Sequence, residues 1–166
     1  IHYIDLLGVT NTTPTVMVDG TKTGTALYLS GDLDLVIVES GFAGTMYLGN
    51  SATDKADIKD LVMLTTTGTV DASIAANVAW VSSSTIDVQS GTLNLGENIG
   101  TSSTMTVSGG VVTVSGWTVT TGDTFILHGG TVNWNAGSTG LTPSSVTTVR
   151  TLKIVGGTFT TANNDK

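Results

Sequence analysis

The sequence contains no cysteine, few basic residues and few aromatic residues, and each shortage excludes a class of site. Without cysteine there is neither a disulfide framework nor a thiolate metal site, so packing and backbone ladders alone must hold the fold. Six residues are Lys or Arg against a formal net charge of −7, which argues against a nucleic-acid partner because binding phosphates needs clustered cations. At 5% of the chain, the aromatic residues are too sparse to predict a base-stacking platform.

Long apolar runs and targeting signals are missing as well. The longest strongly apolar run is residues 35–38, whereas a helix needs roughly 20 apolar residues to cross a bilayer. No secretory signal is visible. Since the sequence begins at Ile1, we expect either a processed chain or a piece of a longer one.

The composition that remains is typical of a surface-exposed β-protein. The 166 residues correspond to about one domain. Only 11% of them are charged and 39% are hydrophobic, and most of the others are Thr, Ser, Gly and Asn. This balance is unusual for a cytosolic enzyme but common in secreted and virion surface β-proteins, because the β-branch of Thr suits a pleated sheet.

A repeated motif occupies the second half of the chain. Residues 85–95 read TIDVQSGTLNL, residues 104–114 TMTVSGGVVTV, residues 124–134 TFILHGGTVNW and residues 151–161 TLKIVGGTFTT. The copies share an initial Thr and alternating apolar residues on both sides of a glycine at the seventh position. This alternation predicts two short strands joined at a corner, where the glycine permits a bend that a Cβ would resist.

Weaker copies extend the repeat toward the N-terminus. They begin at Thr25 (TALYLSGDLDL), Thr45 (TMYLGN) and Val62 (VMLTTTGTVDA). The seven starts are separated by 20, 17, 23, 19, 20 and 27 residues, so a unit of about 20 residues is predicted to be one coil of a solenoid. The predicted corner glycines are Gly31, Gly68, Gly91, Gly110, Gly130 and Gly157.

Stacking these coils in register predicts the core. Successive coils would lie about 4.8 Å apart, so equivalent apolar residues form continuous inward columns. The three predicted columns are Ile86, Met105, Phe125 and Leu152; Val88, Val107, Leu127 and Ile154; and Leu93, Val112, Val132 and Phe159. A third strand in each coil fits the remaining residues, for example 117–120 and 146–149. The sequence therefore predicts an all-β, single-domain parallel β-helix of about seven coils and three short sheets.

Two parts of the chain depart from the repeat. Residues 1–24 lack the motif and are interpreted as an N-terminal cap or attachment segment, which precedes a β-helix domain of residues 25–166. Within that domain, residues 52–60 and 135–150 are interpreted as lateral insertions, the first forming a loop or one helical turn. Such loops are where a solenoid usually makes its contacts.

Asp32 and Asp34 are the sharpest catalytic candidates in the sequence. They lie two apart in a predicted strand, so both point outward at roughly 6.5–7 Å, a separation that suits paired carboxylates in sugar hydrolysis. No cation or further carboxylate is evident in a matching column of the neighbouring coils. We therefore favour solvated surface residues and expect no enzyme activity.

Metal and triad candidates are weaker still. Asp54, Asp57 and Asp60 would share one helix face, but lysines interleave and no calcium-loop spacing is present, so we expect no metal site. His128 sits at a corner, with Asp123 and Ser108 nearby in the stacked coils, yet no serine carries a nucleophile motif.

The tryptophans offer a possible sugar-stacking surface. Trp134 is predicted to point inward by parity, which leaves Trp80 and Trp117 as outward candidates. Packing or a subunit interface is the commoner use of such residues.

The coils from Thr25 to Thr161 resemble the right-handed parallel β-helix superfamily. The same coil serves pectin-degrading enzymes, phage tailspikes, autotransporter adhesins and virion decoration proteins. Pectin-type enzymes need acidic clusters with nearby Arg or Lys. The basic pair that this chain offers for such a site is Arg150 and Lys153. The short length and the neutral, Thr-rich surface make the chain most similar to small phage or virus capsid decoration or fibre proteins.

This resemblance implies a virion structural protein at the capsid surface. Its expected partners are the major capsid protein or further copies of itself, with a trimer as one arrangement, and no cofactor, nucleic acid or membrane insertion is expected. Two alternatives stay open: a bacterial surface adhesin or extracellular filament subunit, and a carbohydrate-active enzyme that uses Asp32 and Asp34.

Overall fold

The computed structural model describes residues 2–5, 15–20, 27–96, 99–116, 122–135 and 151–161. These residues form fourteen strands and one short 3-10 turn, Ala75–Asn77. The strands are β1 (His2–Asp5), β2 (Thr15–Val18), β3 (Leu27–Val38), β4 (Thr45–Leu48), β5 (Ala56–Met63), β6 (Thr69–Ala72), β7 (Val78–Val88), β8 (Thr92–Leu95), β9 (Thr104–Val107), β10 (Val111–Val114), β11 (Thr124–Leu127), β12 (Thr131–Trp134), β13 (Thr151–Ile154) and β14 (Thr158–Thr161).

All pairings between these strands are parallel, and they form two long ladders. Ladder A contains β1, the start of β3, and then β4, β6, β8, β10, β12 and β14; ladder B contains β2, the rest of β3, and then β5, β7, β9, β11 and β13. Because the chain alternates between the ladders, each strand stacks on its equivalent one coil earlier. The predicted all-β parallel β-solenoid is therefore confirmed. Within the described residues, ladder A stacks eight strand segments and ladder B seven.

Strands β3, β5 and β7 are longer than the others because each crosses a short third flank before it joins ladder B, and β3 also begins in ladder A. Residues 31–33 of β3 pair with residues 56–58 of β5, and these pair with residues 78–80 of β7. The β5–β7 register then shifts between Ile58 and Asp60. Four residues of β7, 81–84, bulge at this point, and the coil turns from the third flank into ladder B.

The core consists of inward columns that run along the stack. Ile86 pairs with Met105, which pairs in turn with Phe125. In the same way, Leu93 pairs with Val112, and Val112 pairs with Val132. All of these side chains are at most 1% exposed, as are those of Val88, Val107 and Leu127.

The last coil departs from the predicted core. Leu152 and Ile154 stack on Phe125 and Leu127 in the predicted columns, but their exposed fractions are 50% and 51%. Phe159 is only partly buried. An inward residue is covered by the coils on both sides, and β13 and β14 pair on one side only within the described residues. The prediction that Leu152 and Ile154 are enclosed core residues is therefore wrong.

The three N-terminal copies of the motif lie in a different frame from the one predicted. Leu27, not Ala26, stacks on Met46 in the inward column of ladder A, so the copy at Thr25 begins out of register. Thr45 aligns with Thr69 and therefore belongs to the second half of the motif.

The corner glycines show the same shift of frame. Gly31 lies within β3, where the chain leaves ladder A, and it pairs with Ala56. The glycine that precedes ladder A in that coil is Gly44, whose carbonyl accepts a hydrogen bond from Thr69 N, as Gly68 does from Thr92 N. Gly31 therefore lies at a different corner of the coil from the one predicted. The corners of the N-terminal coils are longer, so the spacing of glycines along the sequence does not show which corner each glycine occupies.

Two segments that were predicted to lie outside the regular coils form strands of the solenoid. Most of the proposed insertion at residues 52–60 belongs to β5, which pairs with β3 and β7. Strands β1 and β2 from the proposed cap at residues 1–24 extend ladders A and B by one coil. The charged residues at 52–60 were interpreted as a loop, but outward positions of a strand also tolerate Asp and Lys. The proposed third strands at 117–120 and 146–149, and nearly all of the insertion at 135–150, lie outside the described residues.

A short polar column also runs inside the stack. Ser84, Ser103 and Asp123 are each at most 1% exposed and precede β-strand segments of ladder B at equivalent positions. The Ser84 and Ser103 hydroxyls lie 2.9 Å apart, and Ser103 N donates to Asp123 Oδ1 at 3.1 Å. These bonds satisfy polar groups that burial would otherwise leave without water. Among the described residues, no helix has the length and apolarity that a membrane span requires.

Candidate functional sites

The third flank brings charged residues of β3 and β5 together. Asp32 pairs with Asp57 on the next coil, and Lys59 Nζ donates to Asp34 Oδ1 at 3.2 Å. Both partners of this ion pair are partly exposed, at 48% and 31%, so the pair contributes little stability. The expectation that no carboxylate or cation accompanies Asp32 and Asp34 is wrong, because the frame shift of the N-terminal coils concealed their neighbours.

The two stacked carboxyls of Asp32 and Asp57 interact directly. Burial raises the pKa of the Asp57 carboxyl, and the negative charge of Asp32 and a hydrogen bond with it raise the pKa further, while Lys55 opposes the rise. The protonated form of Asp57 is therefore favoured relative to an isolated aspartate.

Asp54, Asp57 and Asp60 do not share a helix face. Asp54 lies in a turn, where its backbone N donates to the Ser51 carbonyl, whereas Asp57 and Asp60 lie in β5. Asp60 Oδ1 accepts a hydrogen bond from Thr85 N at 2.8 Å and so helps to join β5 to β7. Within the ranges that the structure describes, no three His, Asp or Glu residues are grouped as metal ligands.

His128 lies at the edge of an open groove on the outer face of ladder B. The groove has a volume of about 650 Å³, and Asp87 and Ser108 line it together with His128. Ser108 and His128 occupy equivalent positions on successive coils, since Ser108 N donates to Val88 O and His128 N to Val107 O.

Asp123 is remote from this groove. It lies at the opposite end of β11 from His128, five residues away, which corresponds to about 16 Å along an extended strand. Its carboxylate is buried against Ser103 N. The structure therefore does not assemble Ser108, His128 and Asp123 into a triad.

Two of the three tryptophans lie in the core. Trp134 is 3% exposed and packs edge-on against Phe125, with ring centroids 5.9 Å apart. Trp80 is 7% exposed, so the expectation that it faces outward is wrong. It lies in the third flank, whose inward positions the motif did not define. Trp117 lies outside the described residues.

Two tyrosines on the outer face of ladder A form a site that sequence reasoning missed. Tyr28 and Tyr47 pair on successive coils, and their rings stack with centroids 5.1 Å apart and an interplanar angle of 20°. Asp71 follows Tyr47 in the same outward column. The sequence does indicate this site through the repeated Tyr-Leu pair, in LYL at 27–29 and MYL at 46–48. The two pairs were not aligned because the N-terminal copies of the motif were placed in the wrong register.

A small pocket adjoins these tyrosines. Its volume is about 120 Å³, and Tyr28, Tyr47, Asp71, Ile74 and Asn77 contribute to its lining. Asn77 is only 9% exposed. The pocket thus combines aromatic rings with a carboxylate and an enclosed amide.

The polarity of the outer face of ladder B changes along the stack. Its central column begins with apolar Met17, Ile37 and Val62 and continues with polar Asp87 and Thr106. Met17 is 63% exposed. The column then continues with apolar Ile126 and ends at Lys153. An apolar stripe at one end of such a mixed face is typical of a contact surface.

Comparisons with known proteins add no name to these features. No protein-family model, no curated protein and no solved structure matches the chain. The geometry of the solenoid itself is therefore the basis for a functional proposal.

Proposed function

We propose that the chain is a structural subunit of a virion surface, a capsid decoration or head-fibre protein that attaches through the end of its solenoid. The observation that carries this proposal is the apolar end of the last coil. Leu152, Ile154 and Val155 are 50%, 51% and 60% exposed, although the first two occupy inward columns.

An exposed core end has to be covered for physical reasons. Terminal repeats of a solenoid need a polar cap or a neighbour, because stacked apolar columns otherwise face water. The edge strands β13 and β14 also present backbone groups that can pair with another chain. A partner that continues the stack would bury the apolar side chains and extend both ladders.

The remaining surface suits a passive, durable role. Apart from exposed Val111, outward positions in β8, β10 and β12 carry Thr and Asn, which form neutral stacked columns. A parallel stack in which each coil pairs with its neighbours resists local opening, because unfolding one coil exposes the columns on both sides. Stable attachment to a particle makes use of these properties.

The first test is the association of the chain with intact particles from its native source. Comigration with virions on a density gradient, at a fixed ratio to the major capsid protein, is the expected result. Recovery of the chain in a cell-envelope or secreted fraction would instead support the alternative, a bacterial surface adhesin or filament subunit.

A pair of variants tests whether the end of the stack is the attachment surface. Replacing both Leu152 and Ile154 with Lys should abolish binding to particles depleted of the protein, because charge at the apolar end opposes its burial. Thr151→Lys places a charge on the outward face of the same strand and is the matched control. Equal binding by the double variant and the control would refute attachment through this end.

A further inference from the structure

We propose that the pocket beside Tyr28 and Tyr47 binds a single neutral pyranose sugar, which stacks on the open face of Tyr47. The inference is independent of where the solenoid is displayed, because it concerns only the outer face of ladder A. We call this pocket the tyrosine pocket, defined by Tyr28, Tyr47, Asp71, Ile74 and Asn77.

The stacking platform arises from the register of the strands. One face of Tyr47 is covered by Tyr28, with a centroid separation of 5.1 Å. The next position along the column is Asp71, whose side chain is much shorter than a tyrosine ring. The second face of Tyr47 makes no other ring contact among the described residues, so a flat ligand can take the place where a third ring would stack.

The polar groups around this face suit hydroxyl groups. Asp71 Oδ1 accepts a hydrogen bond from Ser73 N at 3.0 Å, which fixes the carboxylate and leaves its other oxygen able to accept from a ligand. Asn77 also lines the pocket and is only 9% exposed. Its side-chain amide can both donate a hydrogen bond to a ligand hydroxyl and accept one from it.

The position of Asn77 is fixed by close packing. A Cβ built on Gly49 would lie 1.9 Å from the Asn77 carbonyl oxygen, so only glycine allows the two segments to approach this closely. The turn Ala75–Asn77, closed by Asn77 N donating to Ile74 O, presents the residue at the start of β7. The backbone of Asn77 is therefore held in place before any ligand arrives.

Size and charge define the ligand class. A volume of about 120 Å³ is well below the roughly 300–1,000 Å³ of sites for drug-sized ligands, which limits the pocket to one ring. The apolar face of a pyranose matches the tyrosine ring and the exposed side chain of Ile74, and its hydroxyls match Asp71 and Asn77. The negative charge of Asp71 disfavours acidic sugars.

The test is a titration of the isotopically labelled full chain with monosaccharides, followed by NMR. Glucose, galactose, mannose and N-acetylglucosamine form the neutral panel, and glucuronic acid and N-acetylneuraminic acid the acidic one. We expect at least one neutral sugar to shift resonances around the tyrosine pocket with a Kd on the order of 1 mM, as befits a small ligand. The acidic sugars should bind at least about tenfold more weakly.

Variants separate the pocket from nonspecific binding. Tyr47→Leu keeps an apolar side chain but removes the ring, and should weaken binding at least about fivefold. Asp71→Asn keeps the size of the side chain and should weaken binding about threefold or more, while reducing the discrimination against acidic sugars. Asn133→Ala, in the same outward column but several coils away, should bind normally.

Two results would overturn the proposal. One is the absence of shifts with every neutral sugar at concentrations of about 20 mM, well above the expected Kd. The other is binding that survives both Tyr47→Leu and Asp71→Asn. If Tyr47→Leu fails to fold, as circular dichroism would reveal, the conservative Asp71→Asn variant still decides the question.

Discussion

Replacing Gly110 with Ala should separate two reasons for glycine at the corners of the solenoid. Gly110 has φ +72, and a Cβ there would lie 2.4 Å from the carbonyl oxygen of Gly91 on the preceding coil. That oxygen accepts the hydrogen bond from Val111 N at 2.8 Å, which starts β10. The substitution therefore adds left-handed backbone strain and also forces two coils apart at a backbone contact.

The magnitude follows from a matched control. Gly20 has φ +87, but a Cβ built on it meets nothing within 4 Å among the described residues, so Gly20→Ala is expected to introduce strain alone. We expect Gly20→Ala to lower the free energy of unfolding by about 1–2 kcal/mol. Gly110→Ala should lower it by about 2–5 kcal/mol, since overpacking and a weakened hydrogen bond add to the strain.

Urea denaturation monitored by circular dichroism measures both free energies, and similar slopes for the two variants would make them comparable. Repeat proteins can unfold in stages, so a second transition in Gly110→Ala would itself indicate that the stack separates at this corner. If Gly110→Ala destabilises the protein no more than Gly20→Ala, close approach of the coils is not what requires glycine at this position.

Two further substitutions test the interior column and the stacked carboxyls. Ser103→Ala removes the acceptor for Ser84 N and the partner of the Ser84 hydroxyl, so it should lower the free energy of unfolding by about 1–3 kcal/mol; an effect within 0.5 kcal/mol or so would contradict the buried pairing. Asp57→Asn should raise the melting temperature at pH 7 but not near pH 3. The folded-state pKa of Asp57 is raised, so its protonated form stabilises the fold below the ordinary pKa of 3.8, and this contribution is lost as the pH rises through the folded-state value. Because the group is only partly buried, a difference of a few tenths of a kcal/mol is expected, and thermal melts that show the same difference at both pH values would refute it.

The solenoid and its C-terminal columns were predictable because their repeats are short and regular. Between Thr85 and Trp134 each coil has the same four-residue strands and the same glycine corner, so equivalent residues could be aligned by spacing alone. The N-terminal frame could not be found this way. Its corners contain extra residues, such as those around buried Thr65, which accepts from Gly68 N, and alternation alone does not show where such residues are inserted.

The candidate sites were less predictable because each depends on neighbours one coil away. The contacts of Asp32 with Asp57 and of Tyr28 with Tyr47 follow from spacings of 25 and 19 residues, which differ from coil to coil. An error of one residue in register moves a side chain to the opposite face. Neither the carboxyl pair nor the tyrosine pocket could therefore be assigned before the strands were paired.

By itself, the sequence determined that this chain stacks short parallel strands, because its alternation, its Thr content and its corner glycines all favour that arrangement. The tertiary structure alone decided which faces meet. The register of the N-terminal coils, the exposure of Leu152 and Ile154 at the end of the stack and the enclosure of Asn77 all depend on the coil packed above or below. A periodic pattern specifies which side of a strand is apolar, but contacts across coils depend on the length of every intervening corner.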